Sequence, residues 1–573
     1  MQKKFLALAL ALCMVAGVMW GCGKSGSATN PPAATPSPAP TAAPTNTPAP
    51  TATAAPTAAP TSTTAPTATP APTPDYSKKI DVTWGFDWMP TDGLAPTDRY
   101  AYQQIEQKFN INIIAVPLDG DKKNLALNSD TMPDIFKGTG LPRTYPDLCV
   151  DLTDYWNNGQ MQTVKDYIEN NYKNEEYRIY QTNDSKIWGF PEVNTHTESM
   201  SGWVLNKTAC DKAGISTDNL NTWDDIYAMM KAYKAYDPNS YPLASGAGAD
   251  WFIPYGGSFE HNPFEYDVST DQFSDYYLDP GYKDALQYMA NIYKDGLINP
   301  EYATKTGTDM QADIINRVSI IYPTWWLGTT GPGENLQDAT FTDQLIGLLP
   351  PKSQYGYRTM PAMTTNLTGN VFSFNHTVKD DPEKLARLID VMNWMYTDEG
   401  IAITSWGEEG KSYVVNADGT KSYTQQYLDA AKSGDTTKFD FTYYEAHLPV
   451  VTDNSFGLMN QAKTDIINKI NSLQFPELWI SGMTPPMNAP ADPDLNQEYT
   501  TLTTDMGNVF GTLSTQIIMG QKTMADFDAA VTANKDKLDR IVQLRNDEYN
   551  NYKQTDAYKL FKQFNPNIGV KAW

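Results

Sequence analysis

The chain has 573 residues, with 67 acidic and 43 basic side chains and a net charge of -24. This charge argues against nucleic-acid binding, which needs Lys and Arg, and against lying directly on anionic lipid. With 40% hydrophobic and 12% aromatic residues, the chain can build a packed core, and its length predicts two or more lobes.

Residues 1–21 are typical of an export signal. Lys3 and Lys4 precede an apolar run that is too short and wrongly flanked for a spanning helix. The run ends at Gly21-Cys22-Gly23, which resembles a bacterial lipobox, where the signal is cut before a cysteine that is then lipidated. Two acyl chains, palmitate among them, would anchor Cys22 stably in a membrane. The alternative is an ordinary secretory signal with an incidental cysteine.

A spacer is predicted over residues 22–75. Residues 28–74 are almost only Pro, Thr, Ala and Ser, which cannot bury apolar surface, so we expect this linker to be disordered. Proline favours an extended chain, and the reach of the linker is at most on the order of 150 Å. The spacer would hold the following domain away from a membrane.

The next stretch predicts a β-α-β unit. Ile80, Val82 and Trp84 alternate as in a strand, a helix capped by Thr97 covers "DRYAYQQIEQK", and "FNINIIAVPL" alternates again. Two consecutive strands joined by a helix imply a parallel sheet. A helix over "KKNLALN" and a third strand in "MPDIFKGTG" continue the same pattern.

Four later helices have clear start signals. Thr222 with Asp225, and Thr523 with Asp526, are typical of capping boxes, and the second pair should begin one long helix that runs to residue 552. "GYKDALQYMANIYKDG" and the stretch from "DPEKLARLIDVMNW" to Gly400 predict two more helices. "NADGTKSY" predicts a turn, and "ADPDLNQE" is expected to be a solvated loop.

Six stretches, in this order, resemble the extracellular solute-binding lipoproteins of carbohydrate ABC importers. They are "ALNSDTMPDIF", "DLTDYW", "SKIWGFPEV", "WVLNKTACDKAGI" followed by "NTWDD", "YKDALQYMANIYKDGLINPE", and "PEKLARLIDVMNWMYTDEGIAITSWGEEGKSY". The nearest resemblance is to the branch of the family 1 solute-binding proteins that includes LipO-like and alginate-oligosaccharide-binding-like members. It covers roughly residues 79–430, and the tail past 440 matches only loosely.

The resemblance implies an α/β, two-lobed periplasmic-binding-protein-like fold of type II, with crossover hinge strands between the lobes. We expect the first lobe at 76–200 plus 345–400 and the second at 201–344 plus 401–573. The implied protein is a monomer on the outer side of a bacterial cell membrane. It would bind an oligosaccharide in the interlobe cleft and deliver it to ABC permease subunits.

One departure from the family concerns its calcium loop. After Asp237-Pro238-Asn239 the chain continues with Ser240-Tyr241, and the later acidic ligands of that loop are missing. Because Ca²⁺ needs six to eight oxygen ligands, we do not predict a calcium site here. No other metal site and no cofactor are predicted.

Trp325 and Trp326 are the leading candidates for ligand contact. "VSIIY" predicts a buried strand that Pro323 ends, so both indoles would follow the carboxyl end of a parallel strand, where ligands bind in open α/β sheets. An indole can stack on the apolar face of a pyranose and leave the hydroxyl rim free for hydrogen bonds. The position also resembles the tryptophan-bearing loop of maltodextrin-binding proteins. The alternative is that both indoles lie in the core.

Further candidates occupy similar places, and for each of them core packing or simple solvation is a standing alternative. They are Trp84, Asp87 and Trp88 around the end of the first strand, Trp251 and Glu260 in a glycine-framed loop, and Trp406 and Glu409 near the second hinge. We predict that four other tryptophans pack in the core: Trp156, Trp223, Trp394 and Trp479. Cys149 and Cys210 either pair or remain two separate buried thiols, and the second is preferred.

The rival function is a tethered carbohydrate-active hydrolase, and a wall-associated adhesion module is a third alternative. A hydrolase needs two suitably spaced carboxyl groups, which 67 acidic residues always supply, so their number decides nothing. The four histidines are scattered without HExxH, and neither GxSxG nor GxxxxGK[ST] occurs. We therefore predict a binding protein without catalytic residues.

Overall fold

The two largest β-sheets organise the part of the chain that the computed structural model describes. That part comprises residues 74–87, 98–118, 121–180, 182–195, 201–244, 266–267, 270–325, 341–353, 358–360, 366–433, 450–453, 478–480, 485–486 and 489–566. These residues belong to one compact unit, Ala68–Trp573. The predicted export signal, Cys22, the spacer up to residue 73 and the Thr97 cap lie outside the described residues and stay predictions.

The described strands are β1 (Ile80–Phe86), β2 (Ile111–Pro117), β3 (Ile135–Thr139), β4 (Phe190–Asn194), β5 (Ser201–Asn206), β6 (Tyr266–Asp267), β7 (Gln272–Phe273), β8 (Ile321–Trp325), β9 (Leu345–Leu348), β10 (Arg358–Met360), β11 (Leu367–Phe374), β12 (Tyr413–Val415), β13 (Lys421–Tyr423), β14 (Val451–Thr452) and β15 (Leu478–Ile480).

The described α-helices are α1 (Tyr100–Phe109), α2 (Asp121–Asn128), α3 (Leu141–Thr144), α4 (Thr153–Asn157), α5 (Gln162–Asn171), α6 (Lys207–Lys212), α7 (Trp223–Tyr236), α8 (Pro280–Lys294), α9 (Gly307–Ile315), α10 (Pro382–Trp394), α11 (Asp398–Ile401), α12 (Gln425–Ser433), α13 (Pro493–Ile518), α14 (Met524–Ala533), α15 (Lys535–Tyr552) and α16 (Asp556–Phe564). A π-helical turn, Ala402–Trp406, follows α11 directly.

The first sheet has the strand order β14-β4-β11-β3-β1-β2. β1 pairs in parallel with β2 and β3, and α1 connects β1 to β2, which confirms the predicted β-α-β opening. Only β11 runs against its neighbours β3 and β4, whereas β14 is parallel to β4. The carboxyl ends of β1, β2, β3, β4 and β14 therefore meet at one edge of this sheet.

The second sheet has the order β8-β5-β9, and both outer strands are antiparallel to β5. β8 begins at Ile321 and runs through Pro323 to Trp325, which lies opposite Ser201. The prediction that Pro323 ends a parallel strand is therefore wrong. Proline lacks the N–H that a central strand must donate, but β8 lies at the edge of its sheet and tolerates the loss.

Helix starts follow the sequence signals closely. Thr222 and Thr523 each accept a hydrogen bond from the backbone N–H of the aspartate three positions on. The carboxylate of that aspartate accepts one from the threonine backbone N–H, so both capping boxes are confirmed. Asp381 caps α10 by accepting from the backbone N–H of Lys384. The Asn416–Tyr423 turn is also confirmed, because Gly419 lies at φ 86° between β12 and β13.

Helix ends follow the sequence signals less closely. α10 stops at Trp394 instead of continuing to Gly400, and Thr397 caps the new helix α11. The long helix expected after Thr523 breaks at Asn534 into α14 and α15. "ADPDLNQE" is not a loop, since Asp492 caps the 26-residue helix α13, with Pro493 in its first turn.

Two strands pair across the predicted lobe boundaries. β9, assigned to the first lobe by the boundary at 345, pairs with β5 in the second sheet. β14, assigned to the second lobe, pairs with β4 in the first sheet. The lobe boundaries predicted from the sequence stay a proposal.

Each large sheet has its own hydrophobic core. The first core includes Trp84 and Trp156, and the second includes Trp203 and Trp223. Trp156, Trp223 and Trp394 are at most 7% exposed, as predicted, whereas the side chain of Trp479 lies outside the described ones. Cys149 and Cys210 are both buried free thiols, which confirms the preferred alternative, and burial raises the pKa of each to about 12.

A third core joins the C-terminal helices to the first half of the chain. Tyr549 and Tyr552 from α15 and Phe561 from α16 pack with Tyr177, which lies in a 3₁₀ segment between α5 and β4. α15 also places Leu538 and Ile541 in the second core. One helix therefore belongs to two cores at once.

Candidate functional site

The carboxyl-end edge of the first sheet carries polar side chains that contact one another. We call the set Asp87, Lys123, Lys137, Glu192 and Asn370 the polar row. Lys137 on β3 forms an ion pair with Glu192 on β4, and Asn370 on β11 donates its side-chain amide to Glu192 Oε2 at 2.7 Å. Lys123 Nζ on α2 donates to Asp87 Oδ1 at 3.1 Å and to the carbonyl oxygen of Lys137 at 3.2 Å.

The alternation of the strands explains why these groups share one face. Side chains two residues apart on a strand point to the same side, so Ile135 and Lys137 share a face, as do Phe190 and Glu192. Lys137 also lies opposite Phe372 in the ladder. This face therefore changes from apolar to polar towards the carboxyl ends of β3 and β4, the side on which open α/β sheets bind ligands.

Glu192 is held in its ionised form. Burial alone would raise its pKa, but the Lys137 ammonium and hydrogen bonds from Asn370 and Thr368 outweigh burial and hold the pKa below its ordinary value. The side chains of Lys137 and Glu192 are 12% and 13% exposed, against 24% and 29% for Lys123 and Asp87. The row thus combines a fixed inner ion pair with a more accessible outer one.

Trp406 ends the π-helical turn and is tied to the same edge of the sheet. Its indole N–H donates to Asp453 Oδ2 at 2.8 Å, directly after β14, and Lys421 Nζ lies 3.2 Å from the same oxygen. The rings of Tyr413 and Tyr423 are centred 5.9 and 4.9 Å from the indole, which is 5% exposed. The indole N–H and the ring of Trp406 thus contact other groups of the protein. These contacts hold the β12–β13 hairpin against β14.

The structure also describes the side chains of three other candidates, Trp84, Asp87 and Glu409. Trp84 is 0% exposed in the first core, so we assign it to packing rather than to ligand contact. Asp87 follows β1 within the polar row, and Glu409 is exposed in the turn before β12. Three strands separate β1 from β14 in the sheet, so Asp87 and the Trp406–Glu409 segment occupy different parts of its edge.

The remaining candidates, including both leading ones, cannot be placed by their side chains. The backbone of Trp325 ends β8, but its side chain and all of Trp88, Trp251, Glu260 and Trp326 lie outside the described residues. Their roles stay predictions.

Sequence reasoning missed Lys123, Lys137, Glu192 and Asn370. A signal for two of them was present, because Lys137 in "DIFKGT" and Glu192 in "FPEVN" are charged residues within apolar strands. Charged side chains are almost never buried unless they are paired. β11 lies between β3 and β4 and so brings Lys137 and Glu192 together. It follows β4 by about 170 residues, so local patterns could not identify the pair.

The segment after α7 is held by hydrogen bonds between groups of the protein itself. The Asp237 carboxylate accepts from the backbone N–H of Asn239 at 3.0 Å, and Lys234 Nζ donates to the carbonyl oxygen of Ser240 at 2.6 Å. Among the described residues, no group of three or more His, Cys, Asp or Glu side chains could hold a metal ion. None of the described helices has both the length and the apolar character needed to cross a membrane.

Solved structures with the same architecture decide the fold. The alginate-binding protein AlgQ2, solved without calcium ion, matches with a TM-score of 0.63 over 83% of this chain and 98% of its own, at 15% identity. A solute-binding protein from Bifidobacterium longum infantis, associated with an HMO-binding ABC transporter, matches with a TM-score of 0.65 over 83% of this chain and 99% of its own, at 14% identity. This is the fold of a solute-binding protein. Its two-domain α/β architecture is the one predicted from the sequence.

Curated proteins similar in sequence include a substrate-binding protein of a carbohydrate ABC transporter, whereas no family model matches the chain. The polygalacturonan/rhamnogalacturonan-binding protein YtcQ of Bacillus subtilis is 22% identical over 346 residues, or 58% of this chain and 66% of YtcQ. Lipoprotein LipO of the same organism is 22% identical over 51% of this chain and 59% of LipO. A carbohydrate ABC transporter substrate-binding protein of Streptococcus pneumoniae is 22% identical over 56% of this chain and 62% of its own length. The matches therefore span less than two thirds of each relative's own length. The predicted resemblance to carbohydrate-binding solute-binding proteins is confirmed.

Proposed function

We propose that this protein is a lipid-anchored, extracellular substrate-binding protein. It captures an oligosaccharide between its two lobes and delivers it to the permease of an ABC transporter. The observation that carries the proposal is the sequence match to carbohydrate-binding relatives, made by a chain with the solute-binding-protein fold.

The polar row supplies groups suited to sugar hydroxyls. A hydroxyl donates one hydrogen bond and accepts others, so it can bridge a carboxylate and an ammonium group. Asp87 and Lys123 form such a pair 3.1 Å apart, and about a quarter of each side chain is exposed. Both groups are already held in place, so little side-chain entropy is lost when a sugar binds between them.

Aromatic side chains would supply the stacking surface. We propose that one or both of Trp325 and Trp326 contact the pyranose faces, with Trp88, Trp251 and Glu260 as further contacts. Binding would be coupled to closure of the lobes, as in other two-lobed receptors. An affinity near 1 µM, about -8 kcal/mol, would suit such a receptor.

The double substitution Trp325→Ala and Trp326→Ala tests the stacking proposal. An oligosaccharide that binds is first identified by a thermal-shift screen of residues 75–573, since a ligand raises the melting temperature by mass action. The double variant should then bind at least about tenfold more weakly by calorimetry, because stacking contributes about 0.5–1.5 kcal/mol per aromatic contact beyond buried area. Tyr236→Ala, at an exposed ring on α7, is the control and should bind like wild type.

Two results would count against this picture. Unchanged affinity in a folded double variant would remove the indoles from the site. Shortened sugar products released by the purified protein would instead favour a tethered hydrolase.

The anchoring proposal has its own test. Cys22→Ser removes the thiol that lipidation requires, so the full-length protein should pass from the membrane fraction to the medium and lose incorporation of labelled palmitate. Cys13→Ser, in the predicted signal, is the matched control and should leave both unchanged. Membrane retention by the Cys22 variant would show that another element anchors the chain.

A further inference from the structure

We propose that the polar row selects neutral oligosaccharides and disfavours those built from uronic acids. This inference rests on the proposed function and names the class of glycan that the site accepts. The carboxylate of each uronic acid unit needs a cationic or hydrogen-bond-donating partner that is not already committed. Within the polar row, each ammonium group faces a carboxylate of the protein.

The inner ion pair leaves little positive charge to share. Glu192 accepts from Lys137 and also from Asn370 and Thr368, the last at 2.7 Å, so its negative charge is fixed beside the ammonium group. The pKa of Glu192 lies below its ordinary value, which keeps this carboxylate ionised at neutral pH. A sugar carboxylate brought next to Lys137 would therefore meet Glu192 at close range.

The outer ion pair, Lys123 with Asp87, likewise leaves little positive charge for a ligand. Lys123 is held between Asp87 Oδ1 and the carbonyl oxygen of Lys137, so two of its three N–H donors are already directed at the protein. One donor remains for a ligand, which is enough for a hydroxyl group. A carboxylate would gain one hydrogen bond there and lie close to the charge of Asp87.

The sequence around the candidate indoles also favours neutral ligands over uronic acids. The stretches 88–97, 245–265 and 326–340 contain acidic residues but neither Lys nor Arg. The whole chain carries a net charge of -24, which repels a polyanion as it approaches. A chain of this composition thus differs from what a polyuronate receptor requires, although one relative is named for polygalacturonan binding.

The test compares matched neutral and uronic acid trisaccharides by thermal shift and calorimetry on residues 75–573. The neutral set is maltotriose, cellotriose, xylotriose and kestose, and the acidic set is tri-galacturonate and tri-mannuronate. We expect the strongest binder to be neutral, with an affinity at least about tenfold higher than that of either uronate at 0.15 M salt.

The charge variant Asp87→Asn then asks whether the polar row sets this preference. The amide keeps the size of the side chain, and Lys123 stays anchored by the carbonyl oxygen of Lys137, but its charge is no longer balanced. The ratio of uronate to neutral affinity should rise about tenfold. Asp528→Asn is the control, because it removes the same charge from an exposed pair with Lys283, between α8 and α14, and should leave the ratio unchanged.

Each of three outcomes would contradict the inference. A uronate that binds more tightly than every neutral sugar overturns the inference but leaves sugar binding intact. An unchanged ratio in Asp87→Asn also overturns it, since the row would then not set the preference. If no member of either set binds, the proposed function fails and the inference fails with it.

Discussion

Asp275 is a buried carboxylate whose ionised form destabilises the folded protein. Its side chain lies at the start of the Tyr276–Leu278 turn, is 4% exposed, and accepts a hydrogen bond from the backbone N–H of Tyr277 at 2.8 Å. Burial raises its pKa from 3.8 to about 6, and the backbone hydrogen bond opposes that rise only in part. Because the folded-state pKa is the higher one, the folded protein binds the proton more tightly. Stability is therefore gained as the pH falls from about 6 towards 3.8.

Asp275→Asn should therefore stabilise the protein at neutral pH. The amide oxygen can still accept from Tyr277, and the cost of burying a charge is gone, so we expect a gain of about 2 kcal/mol at pH 7.5. The gain should shrink to nearly zero at pH 4, where Asp275 is already protonated in the fold. Urea denaturation at the two pH values measures it. Asp147→Asn, at an exposed site, is the control, and an equal gain in both variants would contradict the assignment.

The site residues show which chemistry a local pattern can reveal. Alternation alone identified Trp84 as part of a strand but could not say which face of the sheet it occupies, and the structure puts it in the first core. Asp87 was found because it follows the strand. Lys137 and Glu192 were missed, although a charge within an apolar strand signals a buried partner.

At the scale of elements, helix starts were predictable and helix ends were not. A cap is a local hydrogen bond between residues three apart, as at Thr222 and Thr523, so the sequence contains both partners. The end of α10 depends instead on a close approach of the backbone after the helix. A Cβ on Gly400 would collide with the carbonyl oxygen of Trp394, and only glycine allows the chain to turn there into α11.

Gly400→Ala should destabilise the protein by about 3 kcal/mol, because the clash is with backbone atoms and cannot be relieved by a side-chain rotation. Gly511→Ala is the matched control on the exposed face of α13, where an added Cβ meets no atom within 4 Å. That substitution should stabilise by about 0.5–1 kcal/mol through helix propensity. Chemical denaturation of both variants measures the difference, and a neutral Gly400→Ala would refute the close approach.

At the scale of the whole molecule, α15 couples parts of the chain that belong to different cores. Besides its packing in the second and third cores, its Glu548 lies 2.9 Å from Arg143 of α3 and accepts from the side-chain amide of Asn183 at 2.9 Å. Both side chains of the ion pair are less than 10% exposed. Breaking one partner of such a pair leaves an uncompensated buried charge.

Glu548→Ala should therefore cost about 3 kcal/mol and weaken the connection between the cores. We expect wild-type protein to melt in one calorimetric transition and the variant to show two, since the first and second cores would then unfold separately. Asp547→Ala removes the same charge from the neighbouring, exposed position on α15 and should keep one transition. A single, equally shifted transition in both variants would argue against coupling through Glu548.

The strand order of the first sheet also has a consequence for biosynthesis. β4 lies between β11 and β14, which follow it by about 170 and 260 residues, so its hydrogen-bonding partners leave the ribosome long after it does. Contacts this distant in sequence form slowly, and until they form β4 has unpaired edges that invite association with other chains. A nascent chain shorter than about 450 residues therefore cannot complete this sheet, and chaperone binding to such fragments should persist until β14 has emerged.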